Sequence, residues 1–116
     1  MPTIVAIVSI FTVGCASIPA PTEQLAVAKT EVTSAIRDGG NEFAPLELKS
    51  ATDKMESAER AMAADDYILA KRLAEQAQLD AKLAATKSAL AKTQKSVDQS
   101  TESNRVLREE IKRTTE

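Results

Sequence analysis

Residues 66–91 read DYILAKRLAEQAQLDAKLAATKSALA, and this stretch decides the fold. It contains neither glycine nor proline, and its alanines, leucines and lysines are strong helix formers. Small or apolar residues recur every three or four positions along it, at Ala70, Leu73, Ala77, Ala81 and Ala84. That spacing puts them on one face of a helix, so the stretch predicts a helix that packs against another helix.

The same helix is predicted to continue from about Asp66 to Lys112, because glycine and proline are absent throughout. At about 1.5 Å per residue, an unbroken helix of this length approaches 70 Å. Further leucines are expected to widen its apolar surface at Leu69, Leu79, Leu83 and Leu90. Beyond them the chain is polar, and its candidate interaction residues are Val97, Val106, Leu107 and Ile111. Residues 93–116 are therefore predicted to form an exposed helical extension that another protein or another copy covers.

Before this helix, a second helix is predicted from Pro45 to about Ala63, with the proline in the first turn where a missing N–H is harmless. Its apolar positions alternate in steps of three and four, at Leu48, Ala51, Met55, Ala58 and Met62. The link to the long helix is only Ala64-Asp65-Asp66, so the two helices must run antiparallel. Either Asp65 or Asp66 is expected to cap the long helix.

A first helix is predicted from about Glu23 to Asp38, with Thr22 as its N-cap. Its apolar face consists of Leu25, Ala28, Val32, Ala35 and Ile36. Gly39-Gly40 is a strong stop signal, after which residues 41–44 are expected to turn the chain. Together the predicted elements give an all-α fold, an antiparallel three-helix bundle over residues 23–92 with a long coiled-coil-like C-terminal helix. Stacked helical repeats are disfavoured, because only one such unit is found and solenoids need several.

The N-terminal segment carries a different signal. Residues 1–14 contain no charged side chain and are too short to span a bilayer as a helix, which is typical of a signal peptide. An apolar run, Gly14 and then Cys15 resemble the lipobox of bacterial lipoprotein precursors, although Thr12 stands where leucine is usual. The resemblance implies cleavage before Cys15 and acylation of its sulfur. The alternative is that Cys15 is a buried thiol in an ordinary apolar segment.

Residues 15–22 are predicted to form a tether after the cleavage site, because Pro19 and Pro21 disfavour helix. The lipoprotein resemblance implies a location at the cell envelope. Ala16 follows the cysteine, and the sorting rule of that family retains a lipoprotein in the inner membrane when aspartate stands there. Ala16 therefore implies an outer-membrane lipoprotein on the periplasmic face.

The composition argues against most chemistry. The 116 residues include no histidine and a single cysteine, and no catalytic, metal or cofactor site is expected. Net charge is −2 with acids and bases interspersed, so nucleic-acid binding is not expected either. Adjacent carboxylates at Asp65-Asp66 are explained by capping, and Glu109-Glu110 form part of a solvated charge cluster. For Asp80 and Gln76, near the apolar face, two interpretations stay open: they fix helix register or oligomeric state, or they lie at the edge of that face and reach water.

Read together, the second and third helices resemble a family of Gram-negative lipoproteins classed as domain of unknown function 4398. The resemblance covers about residues 25–91, and its firmest parts are Ala44-Pro45-x-x-Leu48 and the acidic-Tyr turn Asp66-Tyr67. The family often has glycine at the position of Asp65. The resemblance implies a helical fold and an envelope location, and it implies no activity.

The expected function is a structural or adaptor lipoprotein that binds a protein partner, or another copy, through its distal helix. A self-assembling helical envelope spacer is one alternative, with Val97, Leu107 and Ile111 in the seam. A helical bundle that binds a small ligand or lipid is the other, although a thin alanine core leaves little room for a pocket. No small-molecule substrate is indicated.

Overall fold

The structure is a computed structural model that describes residues 17–116, which form four helices. They are α1 (Thr22–Arg37), α2 (Gly40–Phe43), α3 (Pro45–Ala63) and α4 (Tyr67–Thr115). No strand occurs in this part of the chain, and α4 alone has 49 residues, so the predicted all-α fold with a long C-terminal helix is confirmed. The predicted signal peptide and Cys15 lie outside the described residues.

Helix α1 begins one residue earlier than predicted. Thr22 is its first residue rather than its N-cap, and the N-cap is Pro21, which makes no side-chain capping bond. The reason is that proline fixes its own φ near the helical value and needs no partner for an N–H, so the helix can start directly after it. Glu23 remains in the first turn, where its charge favours the helix dipole.

The segment after α1 is more ordered than a simple turn. Gly39 ends α1 with a φ of 91°, in the left-handed region that favours glycine. The chain turns here as expected, and the turn includes a short helix, Gly40–Phe43, that was not predicted. Its amides close onto preceding carbonyls, with Phe43 N–H bonded to Gly39 O at 3.0 Å.

The turn between α3 and α4 uses both predicted aspartates, each for a different purpose. Asp66 is the N-cap of α4, and its carboxylate accepts a hydrogen bond from the Leu69 N–H at 3.1 Å. Asp65 has a φ of 57°, in the left-handed region. Aspartate tolerates that conformation better than most residues, and glycine adopts it without strain. The geometry explains why glycine also suits this position.

The core is built mainly from alanine. The core side of α4 is defined by Ala70, Ala74, Ala77, Ala81, Ala84 and Ser88, all with no exposed surface. Helices α1 and α3 pack on this side, and their larger buried side chains are Val32, Leu48 and Met55. Ser88 donates its hydroxyl to Ala84 O, which satisfies the one polar group among these six residues. Such small side chains allow close helix contact but bury little apolar area per residue.

Ion pairs across the helices establish their directions. Lys29 of α1 lies 3.3 Å from Glu59 of α3, so early α1 meets late α3 and the two are antiparallel. Glu47 of α3 pairs with Lys87 of α4, which gives a second antiparallel contact and confirms the hairpin. Helix α1 therefore runs parallel to α4 and antiparallel to α3.

Some predicted core positions differ in the structure. Ala61 is buried at the end of the α3 seam while Met62 is half-buried, because the last step of the seam is three residues rather than four. Ile36 at the end of α1 is 46% exposed. Leu79, Leu83 and Leu90, which are expected to widen the apolar surface of this helix, project away from α1 and α3 and are exposed.

Candidate functional site

The N-terminal end of the described chain lies beside the α3–α4 turn. Ser17 and Ile18 line one open surface depression together with Asp65, Asp66 and Tyr67. The Tyr67 hydroxyl donates a hydrogen bond to Asp65 at 2.9 Å. That bond and the nearby negative charge raise the pKa of the Tyr67 hydroxyl, because they oppose its ionisation. The segment that follows Cys15 in sequence is thus at the same end of the bundle as the start of α4.

A polar cluster joins α3 to α4 at mid-length. The Asp80 carboxylate accepts hydrogen bonds from Ser50 Oγ at 2.7 Å and Lys54 Nζ at 2.5 Å, both from α3. Burial alone would raise the pKa of Asp80, but the hydrogen bonds from Lys54 and Ser50 outweigh it and hold the pKa below its ordinary value. Asp80 therefore lies at the edge of the apolar face, partly exposed, and is bonded to α3. Gln76 is exposed.

We expect Asp80→Ala to lower the free energy of unfolding by about 1–2 kcal/mol, because it leaves half-buried donors on Ser50 and Lys54 without their acceptor. The matched control is Asp53→Ala, which removes a carboxylate paired with Lys49 on an exposed surface and should change stability by less than about 0.5 kcal/mol. Urea denaturation followed by circular dichroism measures both. Equal losses in the two variants would contradict the role of the cluster.

The same variant has a defined pH dependence. Because folding lowers the pKa of Asp80, its ionised form is stabilised in the folded state. The contribution is therefore complete above the unfolded pKa of about 3.9 and disappears as the pH falls through the lower folded value. We expect the stability difference between the wild type and Asp80→Ala to be constant near neutral pH and to shrink below about pH 4.

Contacts between α4 and the rest of the chain end near Lys95. A side chain at Gly39 would approach the aliphatic end of Lys92, at 3.2 Å from its Cε. One turn later, Lys95 Nζ lies 6.0 Å from the centre of the Phe43 ring and 3.9 Å from Glu42. These two lysines mark where the bundle stops and the distal helix begins.

The rest of α4 projects without cover from α1, α2 or α3. Every residue from Lys92 to Glu116 is exposed, including the four predicted interaction residues. At 3.6 residues per turn, Val97 and Ile111 lie on the outer side of α4, which we define as the side opposite the core side, and Leu107 lies at the edge of that side. Val106 instead continues the core side beyond the end of the bundle.

Metal-ligating groups and surface depressions are the features of the described residues that would support chemistry. Residues 17–116 contain no group of three or more metal-ligating side chains arranged to hold an ion. The depressions on their surface are open, and one on α1 is lined by Ala26, Lys29, Thr30, Thr33 and Arg37. Among the helices of this region, none combines the length and the apolarity needed to cross a membrane. What the arrangement presents is an exposed helical surface.

The sequence model of one family, Domain of unknown function (DUF4398), matches residues 23–100. The chain belongs to this family. The match begins in α1 and ends in α4 shortly after the last contact with α2, so the DUF4398 region is the bundle together with the first part of the projecting helix.

A solved member of the DUF4398 family has the same fold. The crystal structure of a DUF4398 family protein from Pseudomonas aeruginosa PAO1 is similar with a TM-score of 0.76 and 37% sequence identity. The similarity covers 83% of this chain and 99% of the solved one. Comparison with curated proteins found no match.

Proposed function

We propose that this protein is a lipid-anchored envelope protein with a structural or adaptor role, held to the periplasmic face of the outer membrane through Cys15. The geometric observation that supports the proposal is the separation of the two ends. Ser17, two positions after Cys15, lies beside the start of α4, whereas the uncovered part of α4 lies at the far end. The uncovered part of α4 could then bind a partner far from the anchor.

The reach of this arrangement follows from helix geometry. Helix α4 has 49 residues, which at about 1.5 Å per residue gives a rod about 73 Å long. With Cys15 in a membrane, the α3–α4 turn faces the lipid and Lys112 and Arg113 lie at the distant tip. Residues 18–21 leave a short connection, so the bundle stays close to the membrane surface while the distal helix projects from it.

The anchor itself needs more than one acyl chain to be stable. A single chain gives only marginal membrane binding, and two or three chains, as bacterial lipoproteins usually carry, make it persistent. The family resemblance at residues 11–15 and the proline-containing tether both agree with that chemistry.

The test is metabolic labelling of cells with a clickable palmitate analogue, with the full chain expressed. We expect the wild type and the matched control Ser17→Ala to be labelled and to sediment with membranes, and Cys15→Ala to lose both properties. Separation of inner from outer membranes then tests the sorting, since Ala16→Asp should move the labelled protein to the inner membrane. A Cys15→Ala protein that keeps its label would overturn the anchor.

A further inference from the structure

Charge on the projecting half of α4 is confined to one side. Between Leu83 and Leu107 the charged residues are Lys87, Lys92, Lys95, Asp98, Glu102 and Arg105. At 3.6 residues per turn, all of them fall within about 100° of the core direction of α4. The outer side of α4 therefore carries no charge over this length, although the whole segment after the bundle is exposed to solvent.

The uncharged outer side also has a regular sequence pattern. Every seventh residue forms one row, which consists of Leu83, Leu90, Val97, Asn104 and Ile111. Between these lies a second row, which consists of Thr86, Thr93, Ser100 and Leu107. Apolar residues of the first row are exposed to solvent: Leu90 is 69%, Val97 53% and Ile111 62% exposed. The first row keeps the seven-residue spacing of a coiled-coil seam over four intervals, while the second row is small and polar apart from Leu107.

We propose that the outer side of α4 pairs with the outer side of α4 in a second copy of this chain, parallel and in register. A helix with a strict seven-residue repeat packs most continuously against another helix with the same repeat, because the two supercoil around each other and keep their seams in contact. The uncharged surface is a narrow stripe along about 36 Å of helix from Leu83 to Leu107, and a second helix of equal length fits that shape.

The absence of charge is what favours self-pairing in register. In a parallel pair related by twofold symmetry, each residue of the seam meets its own copy, so any charge in the seam would face an identical charge. Small uncharged residues such as Thr93 and Ser100 avoid that repulsion. A heterologous partner would allow complementary charges in the seam, and between Lys82 and Arg108 the outer side of α4 offers none.

Asn104 determines the direction of the pair. In a parallel arrangement its amide meets the amide of the second copy, and each can donate to and accept from the other. In an antiparallel arrangement centred on Val97, Asn104 would lie against Leu90 and lose that partner. A single polar residue in such a row is a known means of specifying register and number of strands.

The bundle leaves room for this partner. Helices α1 and α3 cover the core side of α4, so a second copy can approach the outer side without displacing either helix. Lys82 and Arg108 are the nearest charges on the outer side and delimit the uncharged stretch. This pairing would make a second copy the partner of the proposed adaptor. It rests on the proposed function in one respect only: an anchor in a membrane would raise the local concentration of the chains. Contact between the two seams does not itself require the anchor.

The test uses the full chain with Cys15→Ser, so that Val97→Cys is its single thiol. Under mild oxidation we expect a disulfide-linked species of twice the chain mass. Gln99→Cys, on the core side two residues away, is the matched control and should remain a monomer. When Val97→Cys and Ile111→Cys chains are mixed, each position should join only to itself. Because this background cannot be acylated, a failed anchor would leave the cross-link intact.

A second variant tests the seam without a change of fold. Leu90 is solvent-exposed in the single chain, so Leu90→Glu should leave the bundle folded but place two like charges together in the pair. We expect it to reduce the Val97→Cys cross-link about tenfold, whereas Gln99→Glu leaves it unchanged. The proposal is overturned if Val97→Cys stays uncrosslinked, if Gln99→Cys cross-links equally, or if the product is a different protein joined to Val97→Cys.

Discussion

Replacing Ala77 with leucine is expected to lower the free energy of unfolding by about 3 kcal/mol, at the upper end of what overpacking usually costs. Ala77 has no exposed surface and lies in the middle of the core side of α4. The core cluster to which it belongs includes alanines of the facing helices, such as Ala28 and Ala58, which also have no exposed surface. Alanine has no rotamer to change, so extra volume can be accommodated only by moving helices apart.

The opposing effect is the apolar area that a leucine adds. A buried leucine gains roughly 1–2 kcal/mol over a buried alanine when space is available for it. In this bundle the close approach of the helices removes that space, and separating them would also weaken contacts at Ala74 and Ala81. The steric term should therefore exceed the burial term, and because the core is thin the protein has little stability in reserve.

The matched control is Ala26→Leu, the same chemical change at an exposed position of α1. It should change the free energy of unfolding by less than about 0.5 kcal/mol. Urea unfolding monitored by circular dichroism at 222 nm gives both values with about the same slope if the folded states are equally compact. If Ala77→Leu were as stable as Ala26→Leu, the helices would have to be packed less closely around Ala77 than the structure shows.

The helices of this protein could be predicted from local sequence signals. Glycine and proline mark the ends of α1 and the start of α3, and their absence after Asp66 predicts α4 over nearly its full length. The short link predicted the antiparallel hairpin, and its two aspartates predicted a cap at Asp65 or Asp66, of which the structure uses Asp66. These features depend on residues that are neighbours in sequence, so no knowledge of the partner helices was needed.

The alanine side of α4 that meets α1 and α3 was predicted, but the exposure of its leucines was not. Leu79, Leu83 and Leu90 are more hydrophobic than any alanine, yet they are exposed while alanines such as Ala77 and Ala84 are buried. Helices that pack closely need small residues where they cross, and a hydropathy pattern carries no information about the distance between helix axes. The leucines therefore mark a second surface, which the bundle does not use.

The candidate site was only partly visible in the sequence for a related reason. The exposed distal helix followed from the loss of the apolar pattern after Leu90, and the structure leaves those residues uncovered. The partners of Asp80 are 26 and 30 residues away, at Lys54 and Ser50, and only the register of the hairpin brings them together. Acylation of Cys15 stays a prediction, because that residue lies outside the described part of the chain.

Replacing Gly40 with alanine is the other change expected to have a large effect, a loss of about 2 kcal/mol or more. Gly40 is buried, and a Cβ built on it would lie 2.7 Å from Ala35 O and 3.2 Å from a methyl carbon of Leu48. The first of these is a backbone atom of α1, which cannot turn aside as a side chain can. Either the end of α1 or the short helix α2 must shift.

This prediction is informative because the backbone preference acts in the opposite direction. Gly40 is helical and its φ is not positive, so alanine should be favoured there by up to about 1 kcal/mol if space allowed. A net loss therefore measures the steric contact with α1. Asn41→Ala, at the next and exposed position of the same helix, is the matched control and should be neutral or slightly stabilising.

Urea unfolding again gives the two free energies, and amide hydrogen exchange locates the change. In Gly40→Ala we expect faster exchange at Phe43 and Ala44, whose N–H groups bond to Gly39 O and Gly40 O. The turn between α3 and α4 should keep its protection, because Asp66 and its cap lie at the other end of the bundle. A stabilised Gly40→Ala protein with unchanged exchange would contradict the contact, because it would mean that a Cβ at position 40 does not come within 2.7 Å of Ala35 O.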